Sequence, residues 1–293
     1  MTLSRPNVLL VFFLILLLGA IVLGPLLYFG MAWIMPIPFH RAMDRALLIS
    51  SVGAVALFWP RISLRKLWPW KCGVWQQVLL GYFIAAVTVQ AMIGFNMALG
   101  GFTSAHPTGQ QIAARLGMAI IAALLVPPLE ETVFRGFVQG ELVQGFGVRW
   151  GWMVAAFIFM LAHFLKIPVE LDREPVHWWS GASALGAAFM PLVNGAFLCG
   201  RGLNLFLIGL ILGGIFLRSG SLWLNAGLHS GWIFALLLFT GLTRPFDHPR
   251  VMFFEGDILS SLSTTMVLLL LGTWLWFFYP PPSSEPATGA NAH

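Results

Sequence analysis

Apolar residues run along this chain in long stretches, and the charged residues fall mostly between them. After Arg5 the first run extends from about Asn7 to Trp33, longer than the ~20 residues a helix needs to cross a bilayer. Further runs cover roughly 46–59, 74–99, 113–139, 152–165, 183–199, 203–217, 222–242 and 258–279. Several are short for a full span, so the pattern predicts an all-α, polytopic transmembrane bundle of about eight or nine helices. No strand alternation appears, and lipid admits only helices or closed barrels. The first run exceeds the ~7–15 residues of a signal peptide's apolar region and lacks a convincing cleavage site, so it reads as a retained helix.

Composition excludes the alternatives. Of 293 residues, 58% are hydrophobic and 9% charged, against about 25% charged in soluble domains. A soluble globule could not cover its surface with so few charges, and a disordered chain is not this apolar. Cys72 and Cys199 form neither a disulfide framework nor a metal-ligand spacing. The net charge of +5 does not signal nucleic acid, because the basic residues flank apolar runs. Arg61, Arg65, Lys66 and Lys71 share one loop without an acid, which the positive-inside rule places in the cytoplasm together with the N-terminus. Trp68 and Trp70 suit the interface beside it. The expected location is a cell membrane crossed several times, a bacterial inner membrane.

Few polar residues sit where lipid makes them costly. Glu130, Glu131 and Arg135 lie in one apolar segment, where each charge costs ~2.5–3.5 kcal/mol at a helix centre on insertion scales. Glu131 and Arg135 are at i and i+4 with the acid first, which suits an ion pair. Glu130 points about 100° away and has no local partner, so it reads as functional. Pro127 and Pro128 are expected to break or kink the segment. A helix restarting behind them would hold both glutamates at its positive N-terminal end.

Among the histidines, His40, His106, His177, His248 and His293 fall in loops, beside prolines or at the terminus. His163 and His229 lie within or at the edge of apolar segments. One Glu and two His can hydrolyse a bond by general-base catalysis with oxyanion support. They could instead hold zinc with an open water position, the ligands then being Glu130, His163 and His229. Neither H-E-x-x-H nor G-x-S-x-G is present. Ser230 follows His229 directly, and adjacent helical residues point apart, which weakens a Ser–His pair. Gly209, Gly213 and Gly214 read as small residues for helix packing, and the charged loop 166–179 as a solvated link.

Three motifs in order carry a resemblance. Glu130-Glu131-Thr132-Val133-Phe134-Arg135 has the form E-E-x-x-x-R, and Phe159 to His163 the form F-x-x-x-H. The third lies in Leu205–Trp223 and leads into His229. Over about residues 112–240 the chain resembles the CPBP intramembrane proteases, which include the type II CAAX prenyl endopeptidases and the bacterial Abi proteins. The resemblance implies a glutamate-dependent hydrolase with its site sunk in the membrane. Glu130 would activate the water, His163 would help position it, and Glu131 and Arg135 would support the site. His229 would stabilise the oxyanion, helped in many members by an Asn four residues later. Here that position is Ile233, which cannot donate a hydrogen bond. Asn225, one turn before His229, is either a substitute donor or an interhelical contact.

The expected organisation is N-terminal transmembrane helices over 1–111, a catalytic helical core over 112–242, a loop and last helix over 243–279, and a disordered tail over 280–293. The expected function is an intramembrane endopeptidase acting on a membrane-associated or lipid-anchored protein or peptide, without cofactor unless zinc is used. Its partners are that substrate and the lipid bilayer, with no nucleic acid. A non-catalytic membrane scaffold or bacteriocin-immunity protein on the same fold is the alternative, supported by Ile233. A transporter using Glu130 and Arg135 ranks last, because few other spans carry polar residues.

Overall fold

The computed structural model describes residues 5–35, 37–58, 60, 63–98, 101–245 and 257–279. Arg61, His248, His293 and the tail from Pro280 lie outside the described residues. In chain order come α1 (Arg5–Ala32), α2 (Phe39–Leu57), the single turn α3 (Leu64–Leu67), α4 (Val74–Ala98), α5 (Gly109–Glu131) and a π-helical segment (Thr132–Gln139). They are followed by α6 (Gly140–Ala162), α7 (Ser180–Val193), α8 (Gly200–Ser219), α9 (Trp223–Leu242) and α10 (Leu262–Phe278). Among the described residues nine helices exceed ten residues, matching the expected eight or nine. Five helical stretches are long and apolar enough to cross a membrane, and α7 and α10 are shorter apolar helices. The architecture is an all-α, multi-pass bundle.

Three departures from the apolar pattern have local causes. Helix α2 starts at Phe39, ahead of the predicted run, because its charges share a surface. Arg41, Asp44 and Arg45 are exposed while Ala42, Met43 and Ala46 are buried, the two-faced spacing of a helix. Contrary to the expectation of no strands, β1 (Phe102–Ser104) pairs antiparallel with β2 (Thr243–Pro245). Three residues are too few for alternation to register. Residues 140–151 had the polarity of a link, yet the chain stays helical until Gly147, where φ is +79°. Here α6 folds into two limbs, and Gly151 on the second lies against the Val143 backbone on the first. A side chain at Gly151 would overlap that backbone, so glycine is needed at both the turn and the contact.

Close backbone approach sets the centre of the bundle. Helices α4 and α9 meet at Gly81, Gly227 and Gly231, where a Cβ on Gly227 would overlap the Val78 carbonyl oxygen. Small residues supply this packing in membranes, where lipid is as apolar as leucine. Val89 and Met92 of α4 then bury against Leu228 and Trp232 of α9 and Leu212 of α8, and Trp232 Nε1 donates to Thr88 Oγ1 at 3.0 Å. Gly227→Val should destabilise the bundle by about 1–3 kcal/mol or more, read as a lower unfolding temperature in detergent. Gly94→Ala, which meets nothing within 4 Å, is the control. The glycines of α8 also pack closely, Gly209 against Ala156 and Gly213 against Gln139 and Trp152.

Two links hold the ends of the bundle. The basic segment around α3 is anchored inward: Leu67 packs on Gly136 of the π segment. Its carbonyl accepts from the Leu222 N–H at 2.8 Å, and Trp68 Nε1 donates to Thr132 Oγ1 at 3.2 Å. Arg65, Lys66 and Lys71 remain exposed. In the loop after His163, Asp172 accepts from the His40 backbone N–H at 2.9 Å and pairs with its ring. Burial opposes the charged form of Asp172, yet these hydrogen bonds hold its carboxyl below the usual carboxylate range.

Candidate active site

The prolines before the glutamates, expected to break or kink the segment, do not end the helix, and the expected helix restart with both glutamates in its first turn does not form. Helix α5 runs through Pro127 and Pro128 to Glu131 and passes into the π segment. Pro127 has no N–H for the Ala123 carbonyl four residues earlier. The Ser230 hydroxyl of α9 donates to that carbonyl instead, at 2.7 Å. The Thr132 hydroxyl donates back to the Pro128 carbonyl at 2.7 Å, beside its own backbone N–H. Both glutamates therefore sit at the C-terminal end of α5, away from any positive helix end, and side chains must neutralise them. Ser230→Ala should cost about 1 kcal/mol through the unpaired Ala123 carbonyl. Lost cleavage at unchanged thermal stability would instead make Ser230 a catalytic group.

Glu131 is fully buried and collects three polar contacts, two from α9 and one from the π segment. Its Oε1 accepts from His229 Nδ1 at 2.9 Å. Its Oε2 accepts from Asn225 Nδ2 at 3.1 Å and faces Arg135 Nε at 3.3 Å. Asn225 Nδ2 also donates to the Leu212 carbonyl at 2.7 Å. Both of its hydrogens are thereby engaged between helices.

Glu130 differs from its neighbour. Its side chain is 31% exposed, and its buried Oε2 has no hydrogen-bond partner among the described residues. An ionisable partner, His229 Nε2, lies at 3.7 Å, too long for a direct hydrogen bond and suited to a bridging water.

Phe159 is the hub on which the rest converges. Buried to 1% exposure, its ring lies 4.4 Å from the His163 ring and 6.2 Å from that of His229. The Arg135 guanidinium stands over its face at 4.3 Å, a cation–π contact. Arg135 is 2% exposed, and its Nη1 and Nη2 are buried without a partner among the described residues.

Hydrogen-bond partners fix the ring tautomers. His163 Nδ1 lies 2.8 Å from the Phe159 carbonyl oxygen, which can only accept. His229 Nδ1 faces a carboxylate in the same way. Each neutral ring therefore carries its hydrogen on Nδ1 and presents a bare lone pair at Nε2. The oxyanion role that the resemblance implied for His229 would need its protonated form.

The structure thus brings Glu130, Glu131, Arg135, His163, Asn225 and His229 to one place. Among the described residues no three His, Cys, Asp or Glu side chains are gathered as a metal requires, so the zinc set Glu130, His163 and His229 is not drawn into a coordination shell. Sequence reasoning missed two buried polar residues further along the same stretch, Gln139 and Glu141. Gln139 Nε2 donates to the Gly213 carbonyl at 3.0 Å. Their only signal was membership of the same helical run as Arg135.

Comparison with curated proteins and with solved structures gives no match. Residues 112–244, which contain every side chain of this cluster, match the family described as type II CAAX prenyl endopeptidase, Rce1-like.

Proposed function

We propose that the protein is an intramembrane endopeptidase that hydrolyses a peptide bond in a membrane-associated or lipid-anchored protein, with Glu130 as the general base. The observation that carries this reading is the approach of Glu130 Oε2, buried without a hydrogen-bond partner among the described residues, to His229 Nε2 at 3.7 Å, the ring nitrogen that carries a lone pair when His229 is neutral. A water between them gives one hydrogen to each acceptor and keeps an oxygen lone pair for a carbonyl carbon. Glu130 takes the proton as the water attacks and returns it to the leaving amine. His163, within electrostatic reach of Glu130, offers a second lone pair for positioning that water. Glu131 holds His229 in the required tautomer and neutralises Arg135.

The oxyanion needs donors that Ile233 cannot supply and that Asn225 has engaged elsewhere. The unpartnered terminal nitrogens of Arg135 are the donors this reading assigns to it. Residues 112–242 then form the catalytic core, with the helices of 1–111 and α10 around it. No metal enters the scheme, so cleavage is expected to persist in 1,10-phenanthroline at concentrations that strip zinc. Loss of activity there, restored by zinc alone, would overturn the metal-free form.

The test is a mass-spectrometric survey of protein N- and C-termini in host membranes, comparing the wild type with Glu130→Gln at matched expression. Termini that vanish in the variant establish proteolysis and name the substrate. Identical termini, with the variant still complementing a deletion phenotype, sink the catalytic reading.

A further inference from the structure

On the face of α8 turned away from the glutamates, a cleft of about 390 Å³ opens between α8 and α10. That is within the ~300–1,000 Å³ of small-molecule pockets. Gly214 and Gly272 leave room on the two helices, and Leu207, Ile211 and Leu268 help make the lining apolar. Leu269, Trp276 and Phe277 at its edge are exposed, so in a bilayer the cleft opens to lipid rather than to water.

One charge stands at the end of this cleft. Arg218 Nη1 donates to the carbonyls of Leu275, Trp276 and Tyr279, the last turn of α10, at 3.0, 2.8 and 2.5 Å. Its guanidinium lies 4.3 Å over the Trp276 ring. These contacts fix the guanidinium in place, while its other nitrogens have no hydrogen-bond partner among the described residues. They cancel only part of the positive charge, because helix-end carbonyls carry about half a unit of negative charge. The turn after Arg218 is tied to the basic segment through the Leu222 N–H and the Leu67 carbonyl. The mouth of the cleft therefore faces the same side as Arg65, Lys66 and Lys71. The positive-inside rule makes that side cytoplasmic, where the leaflet carries anionic headgroups.

We propose that this cleft is a binding site for one anionic phospholipid, with an acyl chain between α8 and α10 and its phosphate on Arg218. An acyl chain satisfies an apolar wall open to the bilayer, and a phosphate supplies the charge that Arg218 lacks. Among the described residues no hydrogen bond or ion pair joins the lining of this cleft to the glutamates, so the proposal stands apart from the protease reading.

Native mass spectrometry of the full chain in detergent, titrated with dioleoyl phosphatidylglycerol or dioleoyl phosphatidylcholine, tests it. The wild type should retain the anionic lipid in preference to the zwitterionic one. Arg218→Gln should weaken phosphatidylglycerol about fivefold, the factor one basic charge near an anionic surface supplies, and weaken phosphatidylcholine, whose phosphate is offset by its own choline, by less. Arg218→Gln also removes contacts that cap α10, so Gly272→Leu provides an independent arm with every polar contact intact. A Cβ at Gly272 meets only Ile211, at an ordinary 3.6 Å, and the rest of the leucine fills the cleft. That variant should reduce both lipids equally. Equal retention of the two lipids by the wild type overturns the proposal. So does unchanged binding in Gly272→Leu, or competition by glycerol 3-phosphate alone, which would mean a free-phosphate site.

Discussion

Glu130→Gln is expected to reduce cleavage by about 10²–10⁴-fold, the contribution of a positioned general base, while the protein folds and expresses like the wild type. The amide has the shape of the carboxyl but cannot take a proton from water. The substitution removes no partner, since the buried Oε2 of Glu130 has none among the described residues. Its approach to His229 Nε2, at 3.7 Å, is no hydrogen bond. Function and structure are thus separable at this position, which is rare for an ionisable side chain inside a membrane. The measurement is the rate at which substrate termini appear, at matched protein levels, beside the unfolding temperature of the purified variant. A Glu130→Gln protein that cleaves within a few-fold of the wild type would exclude Glu130 as the base. One that fails to fold would show Glu130 to be structural.

The fold class was legible because lipid imposes a simple rule, and apolar runs bounded by charge mark the spans. The site was legible for the same reason: Glu130, Glu131, Arg135, His163 and His229 are costly in lipid, and costly residues stand out. What the sequence hid are the contacts between distant segments. Nothing local says that Ser230 would satisfy the carbonyl freed by Pro127, so the prolines read as a break. The π segment follows from the same neighbourhood and has no pattern of its own. The turn at Gly147 depends on Gly151 meeting Val143, a pairing that appears only once the limbs fold together. Most telling is Glu131. The i, i+4 spacing found Arg135 but could not find Asn225 and His229, which arrive from α9, 94 and 98 residues away. A spacing rule reads one helix, whereas the roles of His229 and Asn225 are set by the helix facing them.

Glu131→Ala should unfold what Glu130→Ala tolerates, although the two residues are adjacent. Removing the Glu131 carboxylate leaves Arg135 as an unpaired buried cation and orphans the His229 Nδ1–H. It also takes one acceptor from Asn225, which keeps the Leu212 carbonyl. Breaking one side of a buried ion pair costs roughly 3–5 kcal/mol, mostly through the charge left behind. Bilayer surroundings offer no water to relieve it. Glu130→Ala leaves no group unpaired, so its cost should stay near that of an ordinary substitution, about 1 kcal/mol. Both variants should lose cleavage, but only Glu131→Ala should lose it together with the fold, seen as a large drop in unfolding temperature in detergent. Arg135→Met added to Glu131→Ala removes the stranded cation with a side chain of similar length. The double variant should therefore be more stable than Glu131→Ala alone, and equally inactive. If Glu130→Ala instead destabilised as much as Glu131→Ala, the two carboxylates would share one structural network. The division between a free catalytic acid and a neutralised supporting one would then fail.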